Sequence, residues 1–407
     1  MKYSLIANDI RGGTSKLSDN NWAFATHLFQ YGNGTKKNHY KESFKEYEQN
    51  KITDLDTVQS PIFQYKANFE WDVPFPPIKS PTFNFIDLFA GIGGFRISLQ
   101  AFGGKCVFSS EIDKYAKITY ESNFGEYPFG DIREFTNKKI SDKEIDALIP
   151  DHEVIAGGFP CQPFSLAGVS ARNSLGLLHG FEDTTKGNLF LDIVRIAKIK
   201  RPKVLFLENV SNFKSHDKGK TFELVKSIIE KDLNYSFNWT IINSSPLVPQ
   251  RRKRCYMVCL RDKSKFEFPT IEGDALALKT ILDKAVPEKY TISDRLWAGH
   301  QNRTKRNLSR GTGFTAFVAD LEKPSKTLVA RYYKDGKECL VPQAGKNPRK
   351  LTPRECARLQ GFPENFIIPV SDTQAYKQFG NSVAVPVIKE IAKNIALKEK
   401  WYFINIP

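Results

Sequence analysis

The sequence predicts an α/β fold in which a doubly wound, mostly parallel sheet is joined to a smaller, loop-rich module. Two observations support this prediction. From Phe83 onward, short apolar runs alternate with amphipathic, helix-like stretches, a pattern typical of a parallel sheet covered by helices on both faces. After about residue 265 the alternation stops, and residues 270–350 are rich in cations and loop-forming residues. This change indicates a second module.

The predicted strands and helices follow one another along the chain. Each strand is a short apolar run, and each helix is an amphipathic stretch between two such runs. The predicted strands are residues 85–89, 105–108, 154–156, 204–207 and 255–259. The predicted helices are residues 96–102, 114–124, 188–200 and 221–232. Ligands of such folds bind outside the carboxyl ends of the strands, so functional residues are expected there.

Residues 1–80 differ from the rest of the chain. They are polar, contain ten Lys or Arg against nine Asp or Glu, and end in a Pro-rich stretch that favours extended chain over helix. We therefore expect an N-terminal extension of unknown role over residues 1–80.

Composition excludes several classes of protein. The chain has 407 residues, of which 41% are hydrophobic and 26% are charged, so it is neither disordered nor fibrous. No apolar run approaches the roughly 18 to 20 residues of a membrane span, and the first residues lack the apolar stretch of a signal peptide. We expect a cytoplasmic protein without a membrane partner. Its six scattered cysteines indicate free thiols and not a disulfide framework.

The net charge of +15 favours a polyanionic partner, because phosphates attract Lys and Arg. Residues 270–350 hold 16 Lys or Arg against 9 Asp or Glu, a net charge of +7. A loop-rich basic module of this kind suits contact with nucleic acid. A basic, solvated surface without such a partner is the alternative.

A Gly-rich turn follows the first predicted strand, where residues 87–95 read Asp-Leu-Phe-Ala-Gly-Ile-Gly-Gly-Phe. Glycines let the backbone approach a ligand, but the spacing departs from the G-x-G-x-x-G of dinucleotide sites. Glu111 ends the second predicted strand, where it could accept from ribose hydroxyls, and Asp131 could meet an adenine amino group. Together they suggest an adenosyl ligand without phosphates. A plain tight turn would also explain the glycines.

Two further motifs follow later predicted strands, and a third precedes the last predicted strand. Residues 157–165 read Gly-Gly-Phe-Pro-Cys-Gln-Pro-Phe-Ser, so Cys161 stands between two prolines after the third strand. Glu208 lies at the end of the next strand, and residues 250–254 read Gln-Arg-Arg-Lys-Arg. Because strand ends meet at one edge of an α/β sheet, this pattern indicates a reactive cysteine with an acid and cations near it.

These motifs, in this order, resemble those of the DNA (cytosine-5) methyltransferase family of bacterial restriction-modification systems. Residues 349–363 and 380–383 match two further motifs, and the resemblance covers the chain from about residue 83 to 395. It implies a Rossmann-like, S-adenosyl-L-methionine-dependent methyltransferase fold. It further implies methyl transfer to carbon 5 of a cytosine that is flipped out of a specific short sequence of duplex DNA, through a covalent cysteine adduct.

The resemblance assigns a role to each candidate catalytic residue. Cys161 would add as a thiolate to carbon 6 of the cytosine, which makes carbon 5 nucleophilic. Glu208 would hold the base and protonate its ring, so its pKa should be raised. Arg252 and Arg254 match the family's Gln-x-Arg-x-Arg pattern and would stabilise charge on the base and hold the nucleotide backbone. No side chain is assigned as the base that removes the carbon 5 proton, and a water could remove this proton.

The resemblance also implies the residues around the two substrates. The cofactor would contact Phe89, Gly91, Gly93, Glu111, Ile112, Asp131, Ile132, Pro160, Leu189, Asn381 and Val383. The flipped base would lie in a pocket formed partly by Phe159, Pro160 and Ser165.

Because Asn381 is near the carboxyl end, the chain should return to the cofactor domain after the basic module. We therefore expect a discontinuous catalytic and cofactor-binding domain over residues 81–265 and 365–407. Residues 266–364 would form the target-recognition domain and its hinge.

Readout of DNA needs Arg, Asn or Gln at base edges. The candidates in the target-recognition domain are Asn302, Arg303, Arg306 and Arg331. In the loop after Cys161, Arg172 or Asn173 would reach into the duplex. The sequence of residues 168–179 resembles that of the subgroup that methylates CCNGG- or CCWGG-type sites. A solvent loop that does not contact DNA is the alternative for this segment.

The expected partners are double-stranded DNA and a cognate restriction endonuclease, from which methylation would protect the host DNA. A transfer-RNA cytosine methylase shares much of this motif set, although the large basic module favours duplex DNA. A DNA-binding regulator that has lost catalysis is disfavoured by the intact Cys161, Glu208 and Arg252. Cys255 and Cys259 have no further pair at zinc spacing, so we expect no metal and assign both to the core.

Overall fold

The computed structural model describes residues 2–5, 7, 19–31, 40, 70–159, 189–312, 316 and 318–401. Within these ranges the strands are β1 (Phe83–Leu88), β2 (Gly104–Ser110), β3 (Val154–Gly158), β4 (Val204–Val210), β5 (Asn238–Asn243), β6 (Lys253–Leu260), β7 (Val341–Gln343) and β8 (Lys346–Arg349). The α-helices are α1 (Asp19–Tyr31), α2 (Gly94–Gln100), α3 (Lys114–Phe124), α4 (Arg133–Thr136), α5 (Asp142–Leu148), α6 (Leu189–Lys200), α7 (Lys220–Ser227), α8 (Asp294–Ser309), α9 (Tyr332–Asp335), α10 (Pro353–Leu359), α11 (Asp372–Asn381) and α12 (Val385–Lys398).

The main sheet has the strand order β2-β1-β3-β4-β6-β5. Strand β1 pairs in parallel with β2 and β3, and β3 pairs in parallel with β4, whereas β6 is antiparallel to β4 and β5. The chain leaves β1 for β2 on one side and later enters β3 on the other side. The carboxyl ends of β1 and β3 therefore form a topological switch point, where α/β proteins bind ligands. The predicted doubly wound, mostly parallel sheet is confirmed.

The sequence analysis found every strand of this sheet except β5. That strand reads Asn-Trp-Thr-Ile-Ile-Asn and is largely half-buried at the sheet edge, so it lacks the continuous apolar run of the central strands. Only residues 244–252 connect it to β6. A parallel pairing needs a crossover of about a dozen residues or more, so the short connection favours the antiparallel arrangement.

Helices cover both faces of the sheet. On one face, Phe85 and Phe206 pack in a core with α2 and the carboxyl-terminal helix α12. On the other face, Ile155 and Leu205 pack in a second core with α6 and α7. Burial on both faces explains why the central strands are almost entirely apolar in sequence.

The described part of the N-terminal extension packs onto the same sheet. Trp22, Phe24 and Phe29 of α1 are buried in the second core, together with Phe108 of β2 and Phe129. These residues of the extension therefore share a core with the sheet.

A third core is formed mainly by residues between 278 and 385, and it also includes Ile92 and Ala116. It is accompanied by the β7–β8 hairpin and by α8, a 16-residue helix in which only His300 is buried. This core includes Phe366 and Phe379, so it extends past the proposed domain boundary between residues 364 and 365.

Other sequence-based expectations concern burial. Cys255 and Cys259 are fully buried, as expected for residues of the core, and so is Cys356. In the ranges given above, no helix is both long and apolar enough to cross a bilayer.

Helix α10 begins at a buried acid. Glu355 Oε2 accepts from the backbone N of Thr352 at 2.8 Å, and the Thr352 hydroxyl accepts from the backbone N of Glu355 at 3.1 Å. Arg349 donates to both carboxylate oxygens of Glu355, at 2.7 and 2.8 Å. The pair is almost inaccessible to solvent, so each charge depends on the other.

We predict that Glu355→Gln lowers the free energy of unfolding by about 3 kcal/mol or more, because it leaves the Arg349 guanidinium buried without its counter-charge. Chemical denaturation measures this loss. Glu364→Gln is the control, since Glu364 pairs with Arg358 at the exposed surface and its removal should cost less than about 1 kcal/mol. Equal losses for the two variants would contradict the prediction.

Candidate active site

A cavity of about 510 Å³ opens at the carboxyl edge of the sheet. The Gly-rich turn after β1, the ends of β2, β3 and β4, the start of β6 and the stretch that joins α11 to α12 form its walls. Its volume lies within the range of small-molecule sites. One cavity therefore borders both groups of predicted residues, those for the cofactor and those for the base.

The Gly-rich turn forms one wall. Gly91 has a φ of 54°, a left-handed conformation that favours glycine, and a Cβ at this position would meet no atom within 4 Å. Gly93 has a φ of 86°, and a Cβ there would lie 2.2 Å from the Phe124 ring. The first glycine thus leaves space in the cavity, and the second allows α2 to begin close to α3.

Glu111 faces this turn from the end of β2. One carboxylate oxygen accepts from the backbone N of Gly91 at 2.7 Å, and the other accepts from that of Asp113 at 2.8 Å. Burial raises the pKa of Glu111, and the backbone donors oppose that shift. The carboxylate is therefore fixed in position at the cavity wall.

The next part of the wall combines an acid with apolar side chains. Asp131 accepts from Nε of Arg133 at 2.9 Å and from its backbone N at 3.0 Å, and these hydrogen bonds lower the pKa of the Asp131 carboxyl. Ile132 is buried, whereas Ile112 is 71% exposed. An exposed large apolar side chain at a cavity wall offers contact area for a ligand.

Glu208 and Arg254, which were predicted to contact the base, lie on β4 and β6. Glu208 is paired with Gly158 across β3 and β4, and Val210 is paired with Arg254 across β4 and β6. Arg254 is thus a diagonal cross-strand neighbour of Glu208, and its Nε lies 3.0 Å from the carboxylate. Burial raises the pKa of Glu208, while Arg254 and Arg252 oppose the shift.

Arg252 has different partners from those the sequence analysis expected for it. It is 2% exposed, and its terminal nitrogens donate to the backbone carbonyls of Leu328, Gly380 and Ser382. Its Nε finds no acceptor within the described ranges, and the residue borders the cavity. Burial and the nearby Arg254 lower the pKa of Arg252 to about 9, which leaves it charged at neutral pH.

Gln250, like Arg252, forms hydrogen bonds with the backbone of Leu328. Its Oε1 accepts from the backbone N of Leu328 at 2.7 Å, and its Nε2 donates to the carbonyl of Leu359 at 3.1 Å. Gln250 is fully buried. The residues just before β6 therefore join the sheet to the basic module and to α10.

Phe159, two residues before the predicted nucleophile Cys161, is held by its neighbours. Phe159 packs against the rings of Phe190 and Phe213, and its carbonyl accepts from Nδ2 of Asn209 at 3.0 Å. Phe159 also borders the cavity. The predicted site residues outside the described residues are Pro160, Cys161, Ser165, Arg172 and Asn173.

Most residues predicted for the cofactor line the cavity. They are Phe89, Gly91, Glu111, Ile112, Asp131, Ile132, Leu189, Asn381 and Val383. The sequence analysis missed Gln374, Lys377 and Gln378 of α11, which also line it. Their spacing of three and four residues places them along one helix face just before Asn381, and this spacing was a usable signal.

The DNA-reading candidates lie away from the cavity walls. Asn302 and Arg306 are four residues apart in α8, exposed, on the side opposite the buried His300. Arg303 forms an ion pair with Asp335 at 3.4 Å, and the exposed Arg331 precedes α9.

Comparison with known proteins decides the family. The family model of the C-5 cytosine-specific DNA methylases matches residues 83–397. The chain belongs to this family. Its members transfer a methyl group to carbon 5 of cytosine in DNA, and this methylase is accordingly a DNA (cytosine-5-)-methyltransferase of the type found in restriction-modification systems. The family uses S-adenosylmethionine as its methyl donor.

Individual relatives agree over most of the chain. Type II methyltransferase M1.ScrFI of Lactococcus lactis subsp. cremoris is 50% identical over 331 residues, which cover 79% of this methylase and 80% of the relative. Type II methyltransferase M.SsoII of Shigella sonnei is 49% identical over 330 residues, with coverage of 79% and 82%. The DNA-cytosine methyltransferase of Escherichia coli K12 is 40% identical over 388 residues, with 82% coverage of each chain.

Solved structures share the fold. The Entamoeba histolytica methyltransferase EhMeth superposes with a TM-score of 0.59 at 23% identity and covers 78% of this chain and 98% of its own. Spodoptera frugiperda DNMT2 gives the same TM-score at 20% identity and covers 77% and 99%.

We predict that Arg252→Lys lowers the free energy of unfolding by about 1–3 kcal/mol, because one ammonium group cannot serve three buried carbonyls in the geometry of the guanidinium. Arg251→Lys is the matched control, since Arg251 is the exposed neighbour in the same motif, and it should change stability by less than about 0.5 kcal/mol. Denaturant titration of both variants measures the difference. Two equally mild variants would show that the three carbonyls do not depend on Arg252.

Proposed function

We propose that this methylase acts on a cytosine flipped out of one short duplex DNA sequence, with Cys161 as the covalent nucleophile and S-adenosylmethionine as the donor. The observation that carries the proposal is the single cavity bordered by Asp131 and Asn381 as well as by Glu208 and Arg254. Methyl transfer requires the donor and the base to meet in one enclosed space. A base inside a duplex cannot reach such a space, so it must leave the helix.

The covalent step activates carbon 5. The Cys161 thiolate forms a bond to carbon 6 of cytosine, and the electron pair of the ring double bond becomes available at carbon 5. After methylation a water removes the carbon 5 proton, the ring double bond re-forms and the sulfur leaves as a thiolate. Cys161 follows Phe159 by two residues, and Phe159 borders the cavity at the end of β3.

Glu208 and Arg254 have different roles toward the base. Burial raises the pKa of Glu208, so this acid can donate a proton to the ring nitrogen when negative charge develops there. Arg254, 3.0 Å from the carboxylate, holds the acid in place and stabilises charge on the base. Arg252 contributes chiefly by fixing the backbone around them, and its Nε is free of acceptors within the described ranges.

The donor site fits an adenosyl group. The bare Cα of Gly91 leaves open space, and the exposed Ile112 offers an apolar face for a purine. The Glu111 carboxylate is placed to accept from the ribose, and Asp131 to accept from the adenine amine. When bound, S-adenosylmethionine supplies an electrophilic methyl group to carbon 5.

Recognition of the target sequence belongs to the basic module. The exposed face of α8 presents Asn302, Lys305 and Arg306. His300, the buried residue of this helix, lies on the opposite side. Such a face suits contact with phosphates and base edges. The CCNGG- or CCWGG-type preference rests on residues 168–179 and stays a prediction.

We further propose that methylation protects host DNA in the bacterial cytoplasm from a cognate endonuclease. M1.ScrFI and M.SsoII carry the name Type II methyltransferase, which supports a role in a restriction-modification system. A transfer-RNA substrate and a binding-only regulator are the competing functions.

The direct test uses purified protein, S-adenosylmethionine and unmethylated genomic DNA, followed by base-resolution sequencing of 5-methylcytosine. We expect methylation at one short motif, and a loss of at least about 10³-fold with Cys161→Ala because the covalent route is closed. Cys255→Ala, a change in the buried core, is the control and should retain methylation. Transfer into RNA alone would favour the transfer-RNA enzyme, and DNA binding without transfer would favour the regulator.

The pH dependence tests Glu208. If the protonated acid is the active form, the turnover rate falls as pH rises through the raised pKa of Glu208. Removal of the Arg254 charge favours the neutral acid, so Arg254→Gln should move this falling limb to higher pH by about one unit, on a lower plateau. Lys253→Gln removes an exposed neighbouring charge and should leave the limb in place. A shift of the limb to lower pH in Arg254→Gln would contradict the assignment.

A further inference from the structure

Helix α1 lies against the loop of residues 129–132, which carries Asp131 into the cavity wall. Strand β2 supports this loop through backbone hydrogen bonds, from the N of Phe129 to the carbonyl of Ser109 and from the N of Glu111 to the carbonyl of Phe129, each 2.9 Å long. The other contacts to the loop described below come from α1. A ligand that meets Asp131 therefore depends on a segment that precedes the family's motifs.

Asn20, in the first turn of α1, bridges the two ends of the loop. Its Oδ1 accepts from the backbone N of Gly130 at 3.4 Å, and its Nδ2 donates to Oε2 of Glu134 at 2.7 Å. Gly130 immediately precedes Asp131, and Glu134 lies in the helix that follows it. The first bond acts on the backbone next to Asp131, and the second holds the Glu134 side chain in the helix that follows.

The next turns of α1 pack against the start of the loop. The rings of Phe24 and His27 lie 4.8 and 4.5 Å from the Phe129 ring, measured between centroids. The hydroxyl of Thr26 accepts from the backbone N of Tyr127 at 2.9 Å. These contacts are buried, so they fix the approach of the chain to Gly130.

The end of α1 supports the Gly-rich turn in a similar way. Arg96, fully buried in α2, donates through Nη2 to Oε1 of Gln30 at 2.9 Å and pairs with Glu126 at 2.9 Å. Gln30 in turn donates to the carbonyl of Phe124 at 2.9 Å. An unpaired buried donor is costly, so the helix that begins at the turn also relies on α1.

We infer that α1 is a positioning element of the donor site, in which Asn20 holds residues 129–132 so that Asp131 meets the amino group of the adenine. This inference rests on the adenosyl site proposed above. It gives a function to part of the N-terminal extension, which acts here through the loop and does not touch the reacting atoms. The extension is accordingly needed for recognition of the donor.

The test uses calorimetry to compare the binding of two ligands to the full-length protein: the product S-adenosylhomocysteine and its deaminated analogue S-inosylhomocysteine. The second compound carries a keto oxygen in place of the amine, and a carboxylate repels it. The dissociation constant of S-inosylhomocysteine divided by that of S-adenosylhomocysteine therefore reports the position of Asp131. A general loss of stability would weaken both ligands equally and leave the ratio unchanged.

We expect Asn20→Ala to reduce this ratio by about 3-fold to 10-fold, because it removes one hydrogen bond to the loop backbone and one to Glu134 just after the loop. The KM for S-adenosylmethionine should rise by a similar factor, with kcat and the KM for DNA changed by less than about twofold. Ser4→Ala is the matched control, since the Ser4 hydroxyl donates to Asp72 within the same extension and away from the loop. It should leave the ratio and both KM values as they are.

Asp131→Ala separates the inference from the adenosyl site on which it rests. If Asp131→Ala removes the discrimination and Asn20→Ala reduces it, the inference is supported. If Asp131→Ala removes the discrimination and Asn20→Ala leaves it unchanged, the proposed adenosyl site is supported and the inferred role of α1 is wrong. If Asp131→Ala leaves it intact, the adenine does not meet Asp131, and both the site assignment and the inference fail.

Discussion

The active site depends on the buried guanidinium of Arg252. Its terminal nitrogens hold carbonyls of Leu328, Gly380 and Ser382, which come from the basic module and from the stretch that returns to the cavity. Arg252 itself immediately precedes β6, the strand that carries Arg254 to Glu208. One cation thus connects the strand that carries Arg254, the stretch that joins α11 to α12 and the basic module. The buried charge costs solvation free energy, and three carbonyl acceptors with Glu208 nearby offset that cost.

The two sides of the cavity follow different physical rules. In the wall formed by β4 and β6, burial raises the pKa of Glu208 while Arg254 and Arg252 oppose the shift. On the donor side, Glu111 and Asp131 are held by backbone and side-chain donors, so they present fixed acceptors. We proposed that the first arrangement donates a proton to the base and that the second accepts hydrogen bonds from the methyl donor.

The sequence could predict whatever follows from local patterning and motif order. Five of the six strands of the main sheet were placed correctly, and most of the residues predicted for the cofactor line one cavity, because apolar runs and motif residues are contiguous. Strand β5 was missed because it lies at a half-buried edge, and the partners of Arg252 were missed because they are backbone carbonyls 76 to 130 residues away in sequence. The packing of α1 on the loop before Asp131 was missed for the same reason, since it joins segments about a hundred residues apart.

The central claim, that this cavity performs covalent methylation through Cys161, is tested most directly by trapping the adduct. A duplex that carries 5-fluorocytosine at the target position cannot lose the carbon 5 substituent as a proton, so the sulfur cannot leave after methyl transfer. We predict a stable complex of protein and DNA that forms only when S-adenosylmethionine is present, with the modified peptide containing Cys161 in a mass spectrum of the digest. Attachment of the DNA through another residue, or complete methylation of ordinary duplex without any trapped complex, would contradict the account.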